Sequence, residues 1–465
     1  MPDTPSHPNS PEARDAASVI HPLTNLRSHL EKGALVIEEG DGVWVTDNHG
    51  NRYIEGMSGL WCLSLGYGQQ RLVDAAAAQM AKLPYYHLTN HKSHGPVIDL
   101  AEKLLEIAPV PMSKIWFANS GSEGNDSAAC IAWYYWHAVG KPEKRKIIAH
   151  QRAYHGNTIA AASLSGMYYN RASFGLPLDG FLHVTPPHHY RYAHPGEDEE
   201  AFATRLADEL DALIVAEGPD TVAAFFTEPV MGSGGVIVPP PTYYEKVQAV
   251  LKKHDILLVS DEVITAFGRT GNMLGTTTMG LRPDMLVCAK GLSGTYLPIS
   301  ALMVNARVFG AIAAESDRVG VFGLSFTYSG HPVSAAVARE ALRIYEDESI
   351  VDHVRDMEPH FLGGLRRLLD HPLVGEVRGT GLLAGVELVK NRDTGEAFDA
   401  ADGVGPFCAA RAEHHGLILR AIGDTISFCP PLIIDRAEIG EMIARFRLAL
   451  DDTLAKVREK DHERA

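Results

Sequence analysis

Two short apolar runs in this chain each end on a residue able to do chemistry. Ile256–Val259 leads into Ser260, Asp261 and Glu262, and Met285–Ala289 leads into Lys290, followed at once by Gly291. An aspartate can keep a ring nitrogen protonated, and a lysine can hold an aldehyde as a Schiff base. Pyridoxal phosphate makes both demands together. Each residue also has a plainer reading. A lysine past a buried strand is commonly a solvated surface residue, and an apolar run ending in Asp-Glu also fits the Walker B strand of an ATPase. That ATPase reading requires a GxxxxGK[ST] loop, and the only Gly-Lys pair, Gly140-Lys141, is followed by Pro142.

Runs of four to six apolar residues bounded by turn residues fit strands buried on both faces of a parallel sheet. Ligands of open α/β sheets bind outside the carboxyl ends of such strands, so Asp261 and Lys290 are expected to face one crevice. The region before them alternates strand and helix in the manner of a βαβ series. Lys114–Ala118 reads as a strand, and Asn119-Ser120-Gly121-Ser122-Glu123 turns into a helix running through Trp133. That turn is either a phosphate seat at a helix N-terminus or an ordinary serine cap. Strand Lys146–His150 leads to Tyr154-His155-Gly156, strand Val222–Thr227 leads to Glu228-Pro229, and a helix starts near Thr242.

With 465 residues the chain is long enough for a large domain with a smaller partner, and 45% apolar with 22% charged residues is ordinary for a soluble globular protein. A formal net charge of −16 argues against a nucleic-acid groove or a polybasic membrane anchor. Cys62, Cys130, Cys288, Cys408 and Cys429 form no CxxC pair, which fits a reducing cytoplasm. No apolar run has the length of a signal-peptide core at the start or of a membrane span anywhere, so a cytoplasmic protein without membrane partners is expected.

Residues 1–18, rich in Pro, Ser and Asp, are expected to be flexible. From Ala34 the alternation of apolar and polar residues between Gly- and Asn-containing turns predicts an antiparallel hairpin. Trp61 follows among glycines and small residues, where it is either core or close to a ligand. Gln69–Leu83 and Pro96–Ile107 have helical spacing, and His87, His91 and His94 between them fall at i, i+4 and i+7, a spacing that one helical face could present, although Pro84 and Gly95 crowd the segment. No carboxylate or cysteine completes a zinc pattern there, and no metal is expected. After Pro332 a long helix over Val333–Asp347, strand pairs over Leu373–Val389 and Leu417–Phe428, and a closing helix capped by Asp435 and Glu438 are expected. The division is therefore 1–18 flexible, 19–75 the first part of a small α+β domain, 76–332 the large domain and 333–465 the rest of the small domain.

From about Leu23 to the last helix the chain resembles the class III aminotransferases of pyridoxal-phosphate fold type I. The motifs that carry the resemblance, in family order, are NSGSEGND (119–126), AYHG (153–156), EPVMGSGGVIVPP (228–240), SDEVITAFGRTG (260–271), AKGLS (289–293), FTYSGHP (326–332) and RGTGLLAGVEL (378–388). The resemblance implies an α/β fold with a mostly parallel central sheet, a smaller α+β domain built from both termini, and pyridoxal 5′-phosphate as cofactor. It implies Lys290 as Schiff-base lysine and proton shuttle, and Asp261 as partner of the ring nitrogen with Glu228 positioning it. Val263 and Tyr154 would pack on the two ring faces, with His155 beside Tyr154 also among the cofactor-binding residues. Ser120, Gly121 and Ser122 would hold the phosphate. Thr327 resembles the phosphate donor that the family supplies from a second subunit, which implies a homodimer or a dimer of dimers.

Ile264, where other branches carry a glutamine, together with SGLWC and LILRAIGD, resembles the amine:pyruvate or ω-transaminase branch. Trp61, Tyr154 and Arg420 would then shape a substrate pocket that alternately takes an amine and a keto acid, with Arg420 receiving carboxylates. Ala266, Thr295, Ser300 and Leu88-Thr89-Asn90 depart from that branch's pattern near the pocket. The implied activity moves an amino group from a primary amine or ω-amino acid to pyruvate, by ping-pong chemistry through pyridoxamine phosphate. The alternatives are a racemase or aminomutase of the same family, an aminotransferase using 2-oxoglutarate, and a cofactor-free regulator that keeps the fold.

Overall fold

A computed structural model describes residues 9–464. Near the N-terminus β1 (Ile37–Asp41), β2 (Trp44–Asp47) and β3 (Arg52–Glu55) form the expected antiparallel series. The middle of the chain contributes β4 (Lys114–Ala118), β5 (Lys146–His150), β6 (Phe181–Val184), β7 (Val222–Thr227), β8 (Leu257–Asp261), β9 (Met285–Cys288) and β10 (Ser300–Val304). The C-terminal part contributes β11 (Val374–Thr380), β12 (Leu383–Leu388), β13 (Leu417–Ile418), β14 (Arg420–Ile422) and β15 (Thr425–Phe428).

The seven middle strands make one sheet in the order β4-β10-β9-β8-β7-β5-β6. Every neighbouring pair is parallel except those of β10, which runs antiparallel to both β4 and β9. Both faces of the sheet are covered, which is why its strands read as continuous apolar runs rather than alternating ones. Ile147, Phe226, Leu257 and Val287 pack with helix Gly121–Ala138 on one face. Ile148, Phe225 and Leu258 pack with helices Glu199–Glu217 and Tyr243–Lys253 on the other. Because β7, β8 and β9 run in parallel, Glu228, Asp261 and Lys290 all emerge at the same edge of the sheet.

Both termini build the smaller part. β13 pairs in parallel with β3, Leu417 opposite Ile54, and so ties the C-terminal region to the first sheet. β11, β12, β15 and β14 form a separate antiparallel sheet. The closing helix Arg436–Arg464 opens on a reciprocal cap: Glu438 N–H donates to Asp435 Oδ1 at 2.8 Å and Asp435 N–H to Glu438 Oε2 at 3.0 Å.

One expectation is corrected. The segment expected to be flexible to residue 18 forms a helix over Pro11–Ser18, with Ser10 Oγ capping Ala13 N–H and proline in the first turn, while residues 1–8 lie outside the described ones. The stretch holding His87, His91 and His94 is not helical, because Asn90 and His91 take left-handed backbone (φ 52° and 61°). His94 instead caps helix Gly95–Ile107 and bonds the Gly330 carbonyl at 2.8 Å. All five cysteines are free, and among the described residues no helix is long and apolar enough to cross a membrane.

Candidate active site

A cavity of about 370 Å³ opens at the carboxyl ends of β7, β8 and β9. Ser120, Gly121, Ser122, Tyr154, His155, Glu228, Asp261, Val263 and Lys290 all line it, as does Asn125, which the sequence reading left without a role.

Asp261 is the most heavily constrained of these. Its Oδ2 accepts from Asn125 Nδ2 at 2.7 Å and from His155 Nδ1–H at 2.7 Å, and its Oδ1 accepts from Val263 N–H at 3.0 Å. Both donor side chains are themselves fixed: Asn125 Nδ2 also reaches the His155 carbonyl at 2.8 Å, and His155 N–H donates to Ser165 Oγ at 2.9 Å. Burial opposes a charge on His155, yet the hydrogen bond and charge of Asp261 raise its pKa above the ordinary imidazole value. Three donors on one buried carboxylate fix its direction. Glu262, the neighbouring acid, faces away: fully buried, it accepts from the Gly275 and Thr276 amides and from Thr265 Oγ1 and serves the fold.

Lys290 stands just past β9 in a turn of 3₁₀ helix, in left-handed backbone (φ 46°). Burial pulls its pKa below the usual lysine value, which brings the neutral amine nearer to ordinary pH. Glu228 does not bond Asp261. Its carboxylate accepts from Tyr154 N–H at 3.1 Å and Gly232 N–H at 2.9 Å, and burial, aided by the nearby charge of Asp261, pushes its pKa up to about 7. Asp261 is held in place by Asn125 and His155 instead.

Helix Gly121–Ala138 points its N-terminus at the cavity. Ser120 Oγ caps Glu123 N–H at 3.2 Å and Glu123 Oε2 returns to Asn119 N–H at 2.7 Å, a capping box, while Ser122 Oγ accepts from Asn157 N–H at 3.1 Å. Both readings of this turn therefore hold at once. The hydroxyls serve local structure, and the Gly121 and Ser122 amides, first in the helix and without intrahelical acceptors, remain for an anion. A Cβ at Gly121 would come within 2.9 Å of Val263 Cγ2, so only glycine leaves both the seat and Val263 in place.

Three predicted residues do not line the cavity. Trp61 is 2% exposed and packs with Met57, Met167, Ile264 and Tyr154; its indole nitrogen is buried without a hydrogen-bond partner. Arg420 opens β14 beside Tyr169 and Tyr154, where its charge lowers both phenol pKa values against the rise that burial gives them. Thr327 is exposed, and its carbonyl accepts from Tyr85 OH at 2.8 Å. Of the departures from the branch pattern, Thr295 lines the cavity in left-handed backbone (φ 71°), a conformation that suits glycine better than a β-branched residue.

An anion seat, an oriented carboxylate and a lysine of lowered pKa around one cavity fit a flat anionic cofactor bearing an aldehyde. The chain is thus of the fold type I pyridoxal-phosphate class. The family model for class-III aminotransferases matches residues 27–450. The mitochondrial gamma-aminobutyrate transaminase 1 of Oryza sativa subsp. japonica is 46% identical over 442 residues, 95% of this chain and 86% of that one. The omega transaminase of Pseudomonas jessenii, solved in complex with PMP, superposes with a TM-score of 0.95 at 53% identity, covering 96% of this chain and 99% of that one. A transaminase solved with L-alanine gives a TM-score of 0.90 at 55% identity, covering 91% of this chain and all of that one. The chain belongs to the class III aminotransferases, enzymes whose cofactor is pyridoxal 5′-phosphate.

Proposed function

We propose that this aminotransferase takes the amino group of a primary amine or ω-amino acid and delivers it to pyruvate, giving alanine. The observation that carries the reading is the position of Arg420. It stands beside the cavity, next to Tyr154, and no arginine lines the cavity itself. An apolar amine tail can then pack on Ile264 and Tyr154 without meeting a buried charge, and a keto acid can be met by the long side chain turning inward. The likeness to an omega transaminase and to a transaminase solved with L-alanine supports this reading. The gamma-aminobutyrate transaminases among the relatives point to an ω-amino acid as one candidate donor.

Bound pyridoxal phosphate supplies the electron sink for breaking the bond to the migrating proton. In our reading the Gly121 and Ser122 amides receive its phosphate, Val263 and Tyr154 pack on its ring, and Asp261 accepts from the ring nitrogen. Asn125 and His155 keep Asp261 aimed. Lys290 would hold the aldehyde, and its amine, brought nearer neutrality by burial, would carry the migrating proton. Thr327, exposed here, would complete the phosphate seat of a second copy, making a homodimer or dimer of dimers the working form. The small domain (19–75 and 333–465) would then cover the large one (76–332). A cytoplasmic location belongs to the same reading, supported by five free cysteines, although relatives carry mitochondrial names.

The test is a half-reaction screen. The visible absorbance of the lysine-bound cofactor is bleached with arylalkylamines, gamma-aminobutyrate and alanine, then restored with pyruvate or with 2-oxoglutarate. Restoration by pyruvate after bleaching by an amine supports the proposal. Restoration by 2-oxoglutarate alone, or racemisation of a single amino compound without net transfer, overturns it.

A further inference from the structure

Two places among the described residues bring three imidazole or carboxylate groups within 4.8 Å of one another. One, made by His188, Glu376 and Glu387, is already filled by cations. Arg378 bonds Glu376 and lies 2.8 Å from Glu387 Oε2, and Arg191 Nε lies 2.8 Å from Glu387 Oε1. The carboxylates there are spent on guanidinium groups, and an added ion would have to displace them.

The other lies in the N-terminal arm, far from the cavity in sequence. Asp15 comes from helix Pro11–Ser18, His21 from the turn after it, and His29 from helix Leu26–Lys32. Nε2 of His21 and Nε2 of His29 lie 2.8 and 3.0 Å from the same oxygen, Asp15 Oδ2, with the rings 3.9 Å apart between centroids. Among the described residues no lysine or arginine forms an ion pair with Asp15. The three side chains are 21%, 28% and 9% exposed, shielded enough to be ordered and open enough for an ion to enter.

We propose that Asp15, His21 and His29 form a binding site for a divalent late first-row transition ion, with Zn²⁺ as the probe of choice. Two imidazoles and one carboxylate are a donor set for zinc and its neighbours, whereas calcium and magnesium take oxygen ligands. A tetrahedral ion at its usual bond lengths of about 2.0–2.1 Å spaces its ligands about 3.3 Å apart. The two nitrogen–oxygen distances need to open by only about half an ångström to reach that spacing, a small side-chain rotation. Nε2 of each imidazole, now hydrogen-bonded to Asp15, gives up its proton on binding and becomes the ligand. The fourth position is left to water. The ion staples together two short helices whose connecting segment exposes Ile20 and Leu23.

The experiment uses tag-free, cofactor-loaded enzyme stripped of adventitious metal and titrated with Zn²⁺, with bound zinc counted after equilibrium dialysis. One saturable equivalent per chain is expected in the wild type. His21→Gln and His29→Gln should each weaken it by at least the roughly 10–100-fold that loss of a mere second-shell partner costs. The visible spectrum of the cofactor should be the same in all three proteins. Absence of saturable binding overturns the site, leaving a hydrogen-bonded clasp. So does zinc binding that both variants retain, or that only one of them loses.

Discussion

Replacing Asn125 with alanine removes one of the two side-chain donors on Asp261 Oδ2, at 2.7 Å, and leaves His155 to hold that oxygen alone. A hydrogen bond to a charged group contributes about 1.5–3 kcal/mol. If Asp261 is the carboxylate that meets the cofactor ring, the loss should weaken pyridoxal phosphate binding by about one to two decades. Asn125→Asp is the sharper variant, since it keeps the shape but sets a second carboxylate against the first, and it should bind cofactor more weakly still. The assay titrates the cofactor-free enzyme with pyridoxal phosphate by absorbance, alongside a thermal melt of the cofactor-free form to separate folding from binding. If both variants bind cofactor within twofold of the wild type, Asp261 is not the ring's partner and the argument from its donors fails.

Lys290→Ala should keep cofactor bound through phosphate and ring contacts yet lose turnover by at least the roughly 10²–10⁴-fold of proton shuttling; retained transamination would refute the role of Lys290. Arg420→Ala should cost about one to two decades in kcat/KM for alanine or pyruvate while bleaching by an arylalkylamine stays within a few-fold, and equal losses would make Arg420 structural. Glu55, on β3, is buried and its pKa is pushed up from 4.5 to about 7 by that burial. Between those values the folded chain holds a proton that the unfolded chain has released, so the stability this group contributes is full below pH 4.5 and is lost as pH rises through about 7. Glu55→Gln removes that loss, and its stability to thermal unfolding should gain on the wild type between pH 5 and pH 8 by about 2.5 kcal/mol. A constant difference across that range would count against the buried-carboxylate account.

The strand ends were legible because parallel strands buried on both faces leave uninterrupted apolar runs, and the residue after each run must fall at the sheet's edge. Type alone does not separate Asp261 from Glu262. Packing does, because only the second meets the Gly275–Thr276 turn. Asn125 carried no signal of its own, since its partner lies 136 residues away and the two meet only when helix Gly121–Ala138 is laid beside β8. Composition misled at the N-terminus, where the proline and serine that suggested flexibility are the first-turn residue and cap of a helix. The i, i+4 and i+7 spacing of His87, His91 and His94 lies on no helix, because Asn90 and His91 take left-handed backbone between them.

The reversed direction of β10 bears on how this enzyme could change its substrates. A parallel neighbour to β9 would need a crossover back along the sheet, carrying the connecting chain away from the cavity. An antiparallel one lets residues 289–299 stay at the carboxyl edge, so that Lys290, Thr295, Leu297 and Ile299 all reach the cavity wall from one short loop. Pocket shape and the position of Lys290 are therefore mechanically linked. A substitution at Thr295 or Leu297 that admits a bulkier amine also shifts the tether of Lys290. Broadened specificity by that route should come with altered turnover, whereas changes around Ile264, carried by the segment after β8, can reshape the pocket while leaving the lysine where it is.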